Sequence, residues 1–233
     1  MTIPFSGAHA ADTPAPWWQA PAGSALADFL ERARQCLLHE PPPPYSAQAY
    51  AQMKGDHAFS PVPGERGPVQ EPRRAAVLVP IMARPEPTVL LTLRSAQLNN
   101  HAGQISFPGG RMDPEDRDEQ DAAFREAREE VGMDARFIHP LGYMEGYLSG
   151  TGFWIVPVVG LVNPACTLTP NPGEVDEIFE VPLHFLMSPA NHQRQSREWK
   201  GTLRQFYAMP YEERFIWGAT AGMLRNLYER IYA

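Results

Sequence analysis

The sequence predicts a layered domain of the α/β or α+β class. Short apolar runs of strand length recur between turn-forming residues, and they alternate in irregular order with a few segments of helical periodicity. Each strand or helix of this kind must bury its apolar face against another element, which produces layers. A chain of 233 residues, of which 43% are hydrophobic and 20% charged, is long enough to bury a sizeable core.

The composition excludes several functions and predicts a compartment. A net charge of -7 at pH 7, with no dense basic patch in either half, argues against binding to nucleic acid or to an anionic membrane. No apolar run reaches the ~18 residues of a membrane-spanning helix, and the N-terminus lacks the pattern of a signal peptide. The two cysteines, Cys36 and Cys166, lie far apart and outside any Cys-x-x-Cys spacing, so neither a disulfide framework nor a zinc site is expected. We therefore predict a cytoplasmic protein.

Residues 1–74 are predicted to form an N-terminal extension. Within it, a helix is expected over about 24–40, because Ser24 suits the N-cap and apolar residues recur on one face. Prolines from Pro41 onward stop this helix and make the following segment a proline-rich connection. We interpret the helix as a cap on the main domain. The alternatives are a lid and a dimer element, and the second of these would make the protein a homodimer.

The main domain is predicted to span residues 75–233. Its strands are short apolar runs bounded by glycine, proline and polar residues, and its helices show a period of about 3.6 residues. The expected strands cover 75–82, 88–94, 104–107, 137–148, 153–162 and 177–181, followed by a hairpin over 199–207 and 214–217. The expected helices cover 118–131, 182–187 and 220–232.

The helix over 118–131 belongs to an acidic stretch. Nine of the 27 acidic residues of the protein fall between Asp113 and Glu130. Helical spacing places three carboxylates on one outer face, while the opposite, apolar face can pack on the sheet. These three are Glu126, Glu129 and Glu130. Arg125 precedes Glu129 by four residues, which places its guanidinium to hold that carboxylate in one orientation.

Two interpretations of this helix are about level on its residues alone. One is a solvated surface helix, because like charges four residues apart cost only ~0.2–0.5 kcal/mol when exposed. The other is a site for a divalent cation, because carboxylates ~5 Å apart in a cleft repel by about 3 kcal/mol at an effective dielectric of ~20. Oxygen-only ligands suit Mg²⁺ or Mn²⁺. Gly109 and Gly110 favour the cation site, because after a strand they let the backbone approach a ligand closely.

The residues around this helix resemble the Nudix box, a loop–helix–loop motif for the hydrolysis of diphosphate bonds. The matching residues are Gly110, Asp116, Arg125-Glu126-Ala127, Glu129-Glu130 and Gly132. The usual form of the box is G-x5-E-x7-R-E-U-x-E-E-x-G-U, with U a bulky apolar residue. Here Asp116 replaces Glu, eight residues rather than seven separate it from Arg125, and Ala127 is small for U. The first two departures also occur in the coenzyme A pyrophosphatase subgroup.

An upstream pattern is similar to that subgroup as well. The subgroup carries L-L-T-x-R-[SA]-x3-R-x3-G-x3-F-P-G-G, which 90–95, Gly103 and 107–110 match at the right spacing. Asn99 stands where the pattern has arginine. Later segments are also similar, so the resemblance covers most of residues 75–233.

The resemblance implies a fold, a reaction and a set of residue roles. The fold would be a mixed β-sheet sandwiched between helices. The reaction would be Mg²⁺- or Mn²⁺-dependent hydrolysis of the diphosphate bond of coenzyme A or its derivatives, giving 3′,5′-ADP and 4′-phosphopantetheine or its acyl form. The metal would be bound by Glu126, Glu129 and Glu130, and it would polarise a phosphoryl oxygen and activate a water. The expected catalytic residues are Arg125, Glu129 and Glu174, with Glu174 as a candidate base from a separate loop.

Several other residues have two open interpretations. The expected substrate-binding residues are Arg94, Gly109, Gly110 and His101. Arg94 suits a phosphate contact or a structural ion pair equally, and His101 suits a substrate contact or plain solvation. Glu174 and Glu177 each suit a general base or a polar turn before a strand.

Asn99 leaves the identity of the substrate open. If the subgroup arginine contacts a phosphate of coenzyme A, asparagine weakens that contact. The alternative is the same chemistry on another nucleoside diphosphate derivative, such as ADP-ribose or a dinucleotide. A non-catalytic nucleotide-sensing Nudix module is a third interpretation, and the presence of Arg125 with all three glutamates opposes it.

Overall fold

The computed structural model describes residues 17–59, 71–199 and 202–233. Residues 1–16 of the predicted extension and 60–70 of its connection lie outside the described residues. In chain order the helices and strands are α1 (Ala25–Cys36), β1 (Lys54–Gly55), β2 (Arg73–Met82), β3 (Thr88–Arg94), β4 (Ile105–Ser106), β5 (Gly109–Arg111), α2 (Glu119–Val131), β6 (Ile138–Tyr143), β7 (Tyr147–Leu148), β8 (Phe153–Val162), β9 (Val175–Pro182), α3 (Leu183–Leu186), β10 (Gln193–Trp199), β11 (Thr202–Tyr211), β12 (Arg214–Trp217) and α4 (Ala219–Ile231). Short 3₁₀ helices cover Ala47–Gln52, Asp56–Phe59, Ala135–Phe137 and Pro189–Asn191.

β2 and β8 form the centre of a mixed sheet. They pair in parallel from Arg73 opposite Phe153 to Met82 opposite Val162. β3 and β5 pair antiparallel with β2, β4 and β9 pair antiparallel with β3, and β6 and β7 pair antiparallel with β8. The short β1 pairs in parallel with β7. The sheet therefore contains both parallel and antiparallel pairs, as expected.

Helices cover both faces of this sheet. Side chains alternate along β2, so that Val77 and Val79 face one core while Ala76 and Leu78 face the other. The first core also contains residues of α1 and α4, and the second contains residues of α2. Eight of the ten residues of β2 are buried, as expected for a strand that is covered on both sides. The predicted α/β (α+β) fold, a mixed sheet sandwiched between helices, is confirmed.

The predicted hairpin near the C-terminus is wrong in extent. β11 pairs with β12 as expected, but it also pairs antiparallel with β10, starting at Gln193 opposite Ala208. The three strands form a second sheet. β10 was missed by the sequence prediction because its residues, QRQSREW, are mostly polar and exposed. Backbone pairing with β11, and not an apolar face, makes this segment a strand.

The predicted single strand over 137–148 is also wrong. The structure has two strands there, and the register of the first shifts between Pro140 and Gly142. Leu38, just after α1, forms a bridge with Tyr143 at this point. A Cβ on Gly142 would lie 2.5 Å from the carbonyl oxygen of Leu38, so the approach of the N-terminal segment requires glycine.

The N-terminal helix is shorter than predicted. The Oγ atom of Ser24 caps it by accepting a hydrogen bond from the amide of Ala27 at 3.1 Å, and the helix ends at Cys36. Phe29 is fully buried in the core that α1 shares with α4. This packing agrees with the cap interpretation. The division of the chain at residue 74 and the homodimer stay predictions.

Of the helices in the described part of the chain, none is both long enough and apolar enough to cross a membrane.

Candidate active site

The acidic helix α2 is fixed at both ends and along one face. The Asp118 carboxylate accepts a hydrogen bond from the amide of Asp121 at 2.8 Å, and Gly132 ends the helix in the left-handed conformation, with φ of 69°. The apolar residues buried against the sheet are Ala122, Ala123, Ala127 and Val131. Ala127 is completely buried, so a bulkier residue at this position would meet closely packed neighbours.

Glu130 does not lie on the outer, solvated face expected from helical spacing. It faces inward and is only 2% exposed. Its Oε2 atom accepts a hydrogen bond from the amide of Gly109 at 3.2 Å, and its Oε1 atom lies 3.5 Å from Nη1 of Arg94. Burial raises the pKa of Glu130 to about 7, against the opposing effects of Arg94 and the Gly109 amide. An exposed acidic stripe is therefore the wrong description of this helix.

Gly109 and Gly110, which were predicted to bind substrate, begin strand β5 and contact the carboxylates of α2. A Cβ on Gly110 would lie 2.6 Å from Oε1 of Glu126, so the glycine leaves the space that this carboxylate occupies. A Cβ on Gly109 would lie 2.5 Å from the carbonyl oxygen of Ala76, because β5 packs tightly on β2. The Gly-Gly pair was expected to follow a strand and to lead into the loop–helix–loop motif. The structure instead uses it as a strand with backbone directly against the acidic helix.

Arg125 is the central cation of the site. Its Nε and Nη2 atoms each donate to Asp116 at 2.9 Å, which makes a two-point ion pair. Its Nη1 atom donates to Glu126 at 2.8 Å and to Glu129 at 3.1 Å. The contact with Glu129 is the one expected from the spacing of four residues. The guanidinium also donates to the carbonyl oxygen of Arg111 at 3.1 Å, so a single side chain joins β5, the acidic loop and α2.

Asp116 received no role from the sequence beyond its place in the motif. The hydrogen bonds from Arg125 hold the pKa of its carboxyl below the usual range, so Asp116 stays ionised and keeps the guanidinium in place. Helical spacing could not reveal this pair, because Asp116 precedes the helix. The available signal was the usual form of the motif that the sequence resembles, which has an acidic residue in this loop.

Glu126 and Glu174 add negative charge near Glu130. Burial raises the pKa of Glu126, Arg125 opposes this rise, and the charges of Glu129 and Glu174 add to it. Glu174 also contributes to the raised pKa of Glu130. The backbone carbonyl of Glu174 accepts from the amide of Ser95 at 2.8 Å, which ties its loop to the end of β3. The amide of Asn171 in the same loop donates to the backbone carbonyl of Glu130 at 2.8 Å, so Glu174 lies close enough to the helix carboxylates to act on their pKa values.

Arg94 lies inside this group, whereas His101 does not contact it. The Nε atom of Arg94 is buried and, among the described residues, makes no hydrogen bond. His101 is exposed, adopts a left-handed φ of 58°, and contacts Gln104 Oε1 through Nδ1 at 2.8 Å. Glu177, the other loop candidate, pairs with Arg214. The ion pair of Arg94 with Glu130 agrees with the structural interpretation of that arginine and leaves its buried Nε available.

The residues present fit a divalent cation by their chemistry, although their side chains are turned towards protein partners. Within 17–59, 71–199 and 202–233, no three Asp, Glu, His or Cys side chains are grouped as metal ligands. Glu126 and Glu129 contact Arg125, and Glu130 contacts Gly109. Burial, and to a smaller extent the neighbouring carboxylates, nevertheless raise the pKa of both Glu126 and Glu130, and a hard cation offsets both effects.

The fold and this carboxylate helix define a hydrolase of the class that the sequence resembles. The model of the NUDIX domain matches residues 72–202. The chain belongs to the Nudix family, so the predicted family and the prediction of a pyrophosphohydrolase are confirmed. Members of this family generally use divalent metal ions, and pyrophosphate hydrolysis of a nucleoside diphosphate derivative is its reaction.

Relatives found by sequence carry the same family name. Proteins named uncharacterized Nudix hydrolase NudL from Yersinia pestis (strain Pestoides F) and from Yersinia pseudotuberculosis serotype O:1b are each 43% identical over 159 residues, covering 68% of this chain and 80% of the relative. Among solved structures, an Ap4A hydrolase of C. elegans is 20% identical, with a TM-score of 0.41, and covers 47% of this chain and 80% of its own. The NUDIX domain of Shewanella oneidensis NrtR, complexed with ADP ribose, is 19% identical, with a TM-score of 0.37. The match covers 60% of this chain and 85% of the NrtR chain.

Proposed function

We propose that this protein hydrolyses the diphosphate bond of coenzyme A or its derivatives, giving 3′,5′-ADP and 4′-phosphopantetheine or its acyl form. The observation that carries the proposal is the contact between two parts of the sequence. Arg94 and Gly109 belong to the upstream pattern of the coenzyme A subgroup, and both contact the buried Glu130 of the Nudix helix. The subgroup pattern therefore lines the same carboxylates that the family motif supplies.

Each residue of the group has a proposed task. Glu126, Glu129 and Glu130 bind Mg²⁺ or Mn²⁺, which when bound supplies positive charge to the diphosphate and lowers the pKa of a water. Arg125 is a positioning residue, because its ion pair with Asp116 orients Glu126 and Glu129.

The substrate contacts come from β3, β5 and their connection. Arg94 places its cationic group beside Glu130, where a phosphoryl oxygen competes for it. Gly109 and Gly110 bring backbone within reach of a bound phosphate. His101 stays a predicted substrate contact, because it lies in the exposed loop between the strands and does not contact the carboxylates. Glu174 is the proposed general base, because it is a carboxylate on a separate loop that the amide of Asn171 ties to the backbone carbonyl of Glu130 at 2.8 Å.

One observation favours a different substrate. Asn99, at the position of the subgroup arginine, is an exposed neutral side chain. An enzyme that lacks this arginine has one charged contact fewer for a phosphate of coenzyme A, so it should discriminate less between coenzyme A and ADP-ribose or a dinucleotide. The second candidate function is therefore the same hydrolysis on such a nucleoside diphosphate derivative.

A substrate panel with identified products tests the proposal. Coenzyme A, acetyl coenzyme A, ADP-ribose and a dinucleotide are each incubated with the full chain and Mg²⁺ or Mn²⁺, and the products are separated by chromatography and identified by mass. We expect 3′,5′-ADP from the first two. Cleavage of ADP-ribose with coenzyme A untouched would contradict the subgroup assignment.

Two variants separate catalysis from sensing. Glu129→Gln removes one proposed ligand that is half-exposed, and Glu198→Gln makes the same change on the exposed face of β10 as a control. We expect turnover to fall at least about a hundredfold in the first variant and to stay unchanged in the second. Equal turnover in all three proteins would exclude the metal-ligand role, and binding of nucleotides without any turnover would favour the sensing module.

A further inference from the structure

A basic cavity borders the acidic loop before α2. It is open to solvent and has a volume of about 560 Å³. Its lining includes three arginines, Arg73, Arg74 and Arg111, together with Asp113 and Asp116. In an acidic protein of net charge -7, three arginines around one cavity are an unusual concentration of positive charge.

The three arginines differ in how far protein groups already satisfy them. Arg74 donates to Glu119 at 2.6 Å. The guanidinium of Arg73 lies 3.9 Å from the centre of the Phe153 ring and donates to the carbonyl oxygen of Thr151 at 3.2 Å, so its partners are neutral. Arg111 is exposed and, within the part of the chain that the structure describes, has no ion pair or side-chain hydrogen bond. Arg111 is therefore free to bind an anion from solution.

The two aspartates do not cancel this charge. Both carboxylate oxygens of Asp116 accept hydrogen bonds from Arg125, so its charge is already paired. Asp113 is exposed, and its Oδ2 atom lies 3.8 Å from Nη1 of Arg125. The cavity thus has two guanidinium groups without a carboxylate partner among the described residues, those of Arg111 and Arg73, against one exposed carboxylate, that of Asp113.

The cavity and the carboxylates of α2 share one wall. Gly110 lies against Glu126, and neighbouring residues of a strand point to opposite sides, so the Arg111 side chain leaves β5 on the other side. The Arg111 carbonyl oxygen accepts a hydrogen bond from Arg125, which also binds Glu126. Asp116 lines the cavity and binds Arg125, which in turn binds Glu126, so two contacts connect the basic cavity to the proposed diphosphate site.

We propose that this cavity binds the 3′-phosphate of the substrate, chiefly through Arg111 with help from Arg73. A phosphate monoester carries nearly two negative charges at neutral pH and accepts several hydrogen bonds, which suits guanidinium groups that have no carboxylate partner. In coenzyme A, this group sits on the same ribose as the diphosphate, so one ligand spans both sites. The proposal rests on the proposed function, and it supplies from β2 and β5 the cation that Asn99 does not provide.

The test compares coenzyme A with dephospho-coenzyme A, which lacks only the 3′-phosphate. The preference is the ratio of kcat/KM for the two substrates, measured with the full chain and Mg²⁺. We expect Arg111→Gln to lower this preference about tenfold by losing a charge-assisted hydrogen bond, with Arg111→Lys recovering part of it. The matched control is Arg197→Gln, an exposed arginine on β10, and it should leave the preference unchanged.

A binding measurement separates failure of the cavity from failure of the proposed function. Calorimetry compares 3′,5′-ADP with 5′-AMP, and we expect the wild-type protein to bind 3′,5′-ADP more tightly and Arg111→Gln to lose that difference. If both coenzymes are hydrolysed with a preference that Arg111→Gln does not change, the cavity assignment is wrong while the reaction stands. If neither is hydrolysed, the proposed reaction is wrong, and equal binding of the two nucleotides would then overturn the cavity as well.

Discussion

Asp56 and Glu130 are two carboxyl groups whose pKa values burial raises, but their surroundings differ. The oxygens of Asp56 accept short hydrogen bonds from two neutral groups, the Tyr147 hydroxyl and the Gly150 amide, each at 2.6 Å. Glu130 has one amide donor at 3.2 Å and one guanidinium nitrogen at 3.5 Å. The first carboxyl is well satisfied by its own fold, whereas the second is held loosely.

The difference indicates which carboxyl is structural and which is functional. Asp56 joins the N-terminal segment to β7 and to the turn that follows it, and both of its oxygens already accept hydrogen bonds. Glu130 is crowded by Glu126 and Glu174, whose charges raise its pKa further. A group that is buried, poorly satisfied and surrounded by like charges is suited to bind a cation that arrives with the substrate.

The largest effect on activity is expected at Glu130. Glu130→Gln should lower turnover at least about a hundredfold, because it removes a proposed metal ligand. The same change should leave the thermal unfolding midpoint of the metal-free protein equal or higher, because a neutral amide is easier to bury than a carboxylate. Turnover assays and thermal melts of the same preparations measure both quantities. A large fall in the midpoint would place Glu130 with Asp56 as a structural group.

The largest effect on stability is expected at Asp56. Asp56→Ala removes the acceptor of the hydroxyl of Tyr147, a residue that is 1% exposed, and should lower the free energy of unfolding by about 2–4 kcal/mol. Urea unfolding measures the change, and Asp56→Asn, which keeps an acceptor oxygen, should lose less. Turnover per folded molecule should not change in either variant. A loss of turnover without a loss of stability would contradict the structural role of Asp56 and make it a functional group.

The two glycines of β5 should separate activity from stability at the proposed site. Gly110→Ala places a methyl group against the flexible end of Glu126, so we expect about a tenfold loss of turnover with little loss of stability. Gly109→Ala meets the backbone of β2, and Gly109 has a φ of 156°, so it should lower the free energy of unfolding by a few kcal/mol, on the order of 1–3. Equal losses of stability in the two variants would contradict this assignment.

A smaller effect is expected in the pH dependence of stability. The raised pKa of Asp56 means that the folded protein binds this proton more tightly than the unfolded chain does. The resulting stabilisation is complete below the unfolded pKa of ~3.9 and is lost as pH rises through the folded pKa. The stability difference between wild type and Asp56→Asn should therefore shrink as pH rises from about 4 toward neutrality. Chemical unfolding over that pH range measures the difference in the free energy of unfolding. A difference that grows as pH rises would contradict the expected direction.

Elements with a regular apolar pattern could be predicted from the sequence. β2, β3 and β8 are nearly continuous apolar runs, and α2 has both a capping aspartate and a terminal glycine. β10 could not be predicted, because its polar residues become a strand only through pairing with β11. β5 could not be predicted either, because two glycines carry no strand preference and their pairing with β2 decides the conformation.

The site was predictable only where its contacts are local in sequence. The pair of Arg125 with Glu129 follows from helical spacing, and the structure contains it. The inward position of Glu130 depends on Gly109 and Arg94, which lie 21 and 36 residues away, and helix geometry contains no information about them. The resemblance to the family motif named these residues together, but it did not show that one carboxylate is buried.

The bond between Asp56 and Tyr147 also affects how the protein unfolds. The NUDIX match begins at residue 72, so α1 and Asp56 lie outside it, although Tyr147 belongs to the matched region and its hydroxyl touches Gly222 of α4. Deleting the N-terminal segment would leave this hydroxyl without its acceptor beneath α4. We therefore expect the N-terminal segment and the matched domain to unfold together. In a calorimeter we expect the segment and the sheet to absorb heat in one transition.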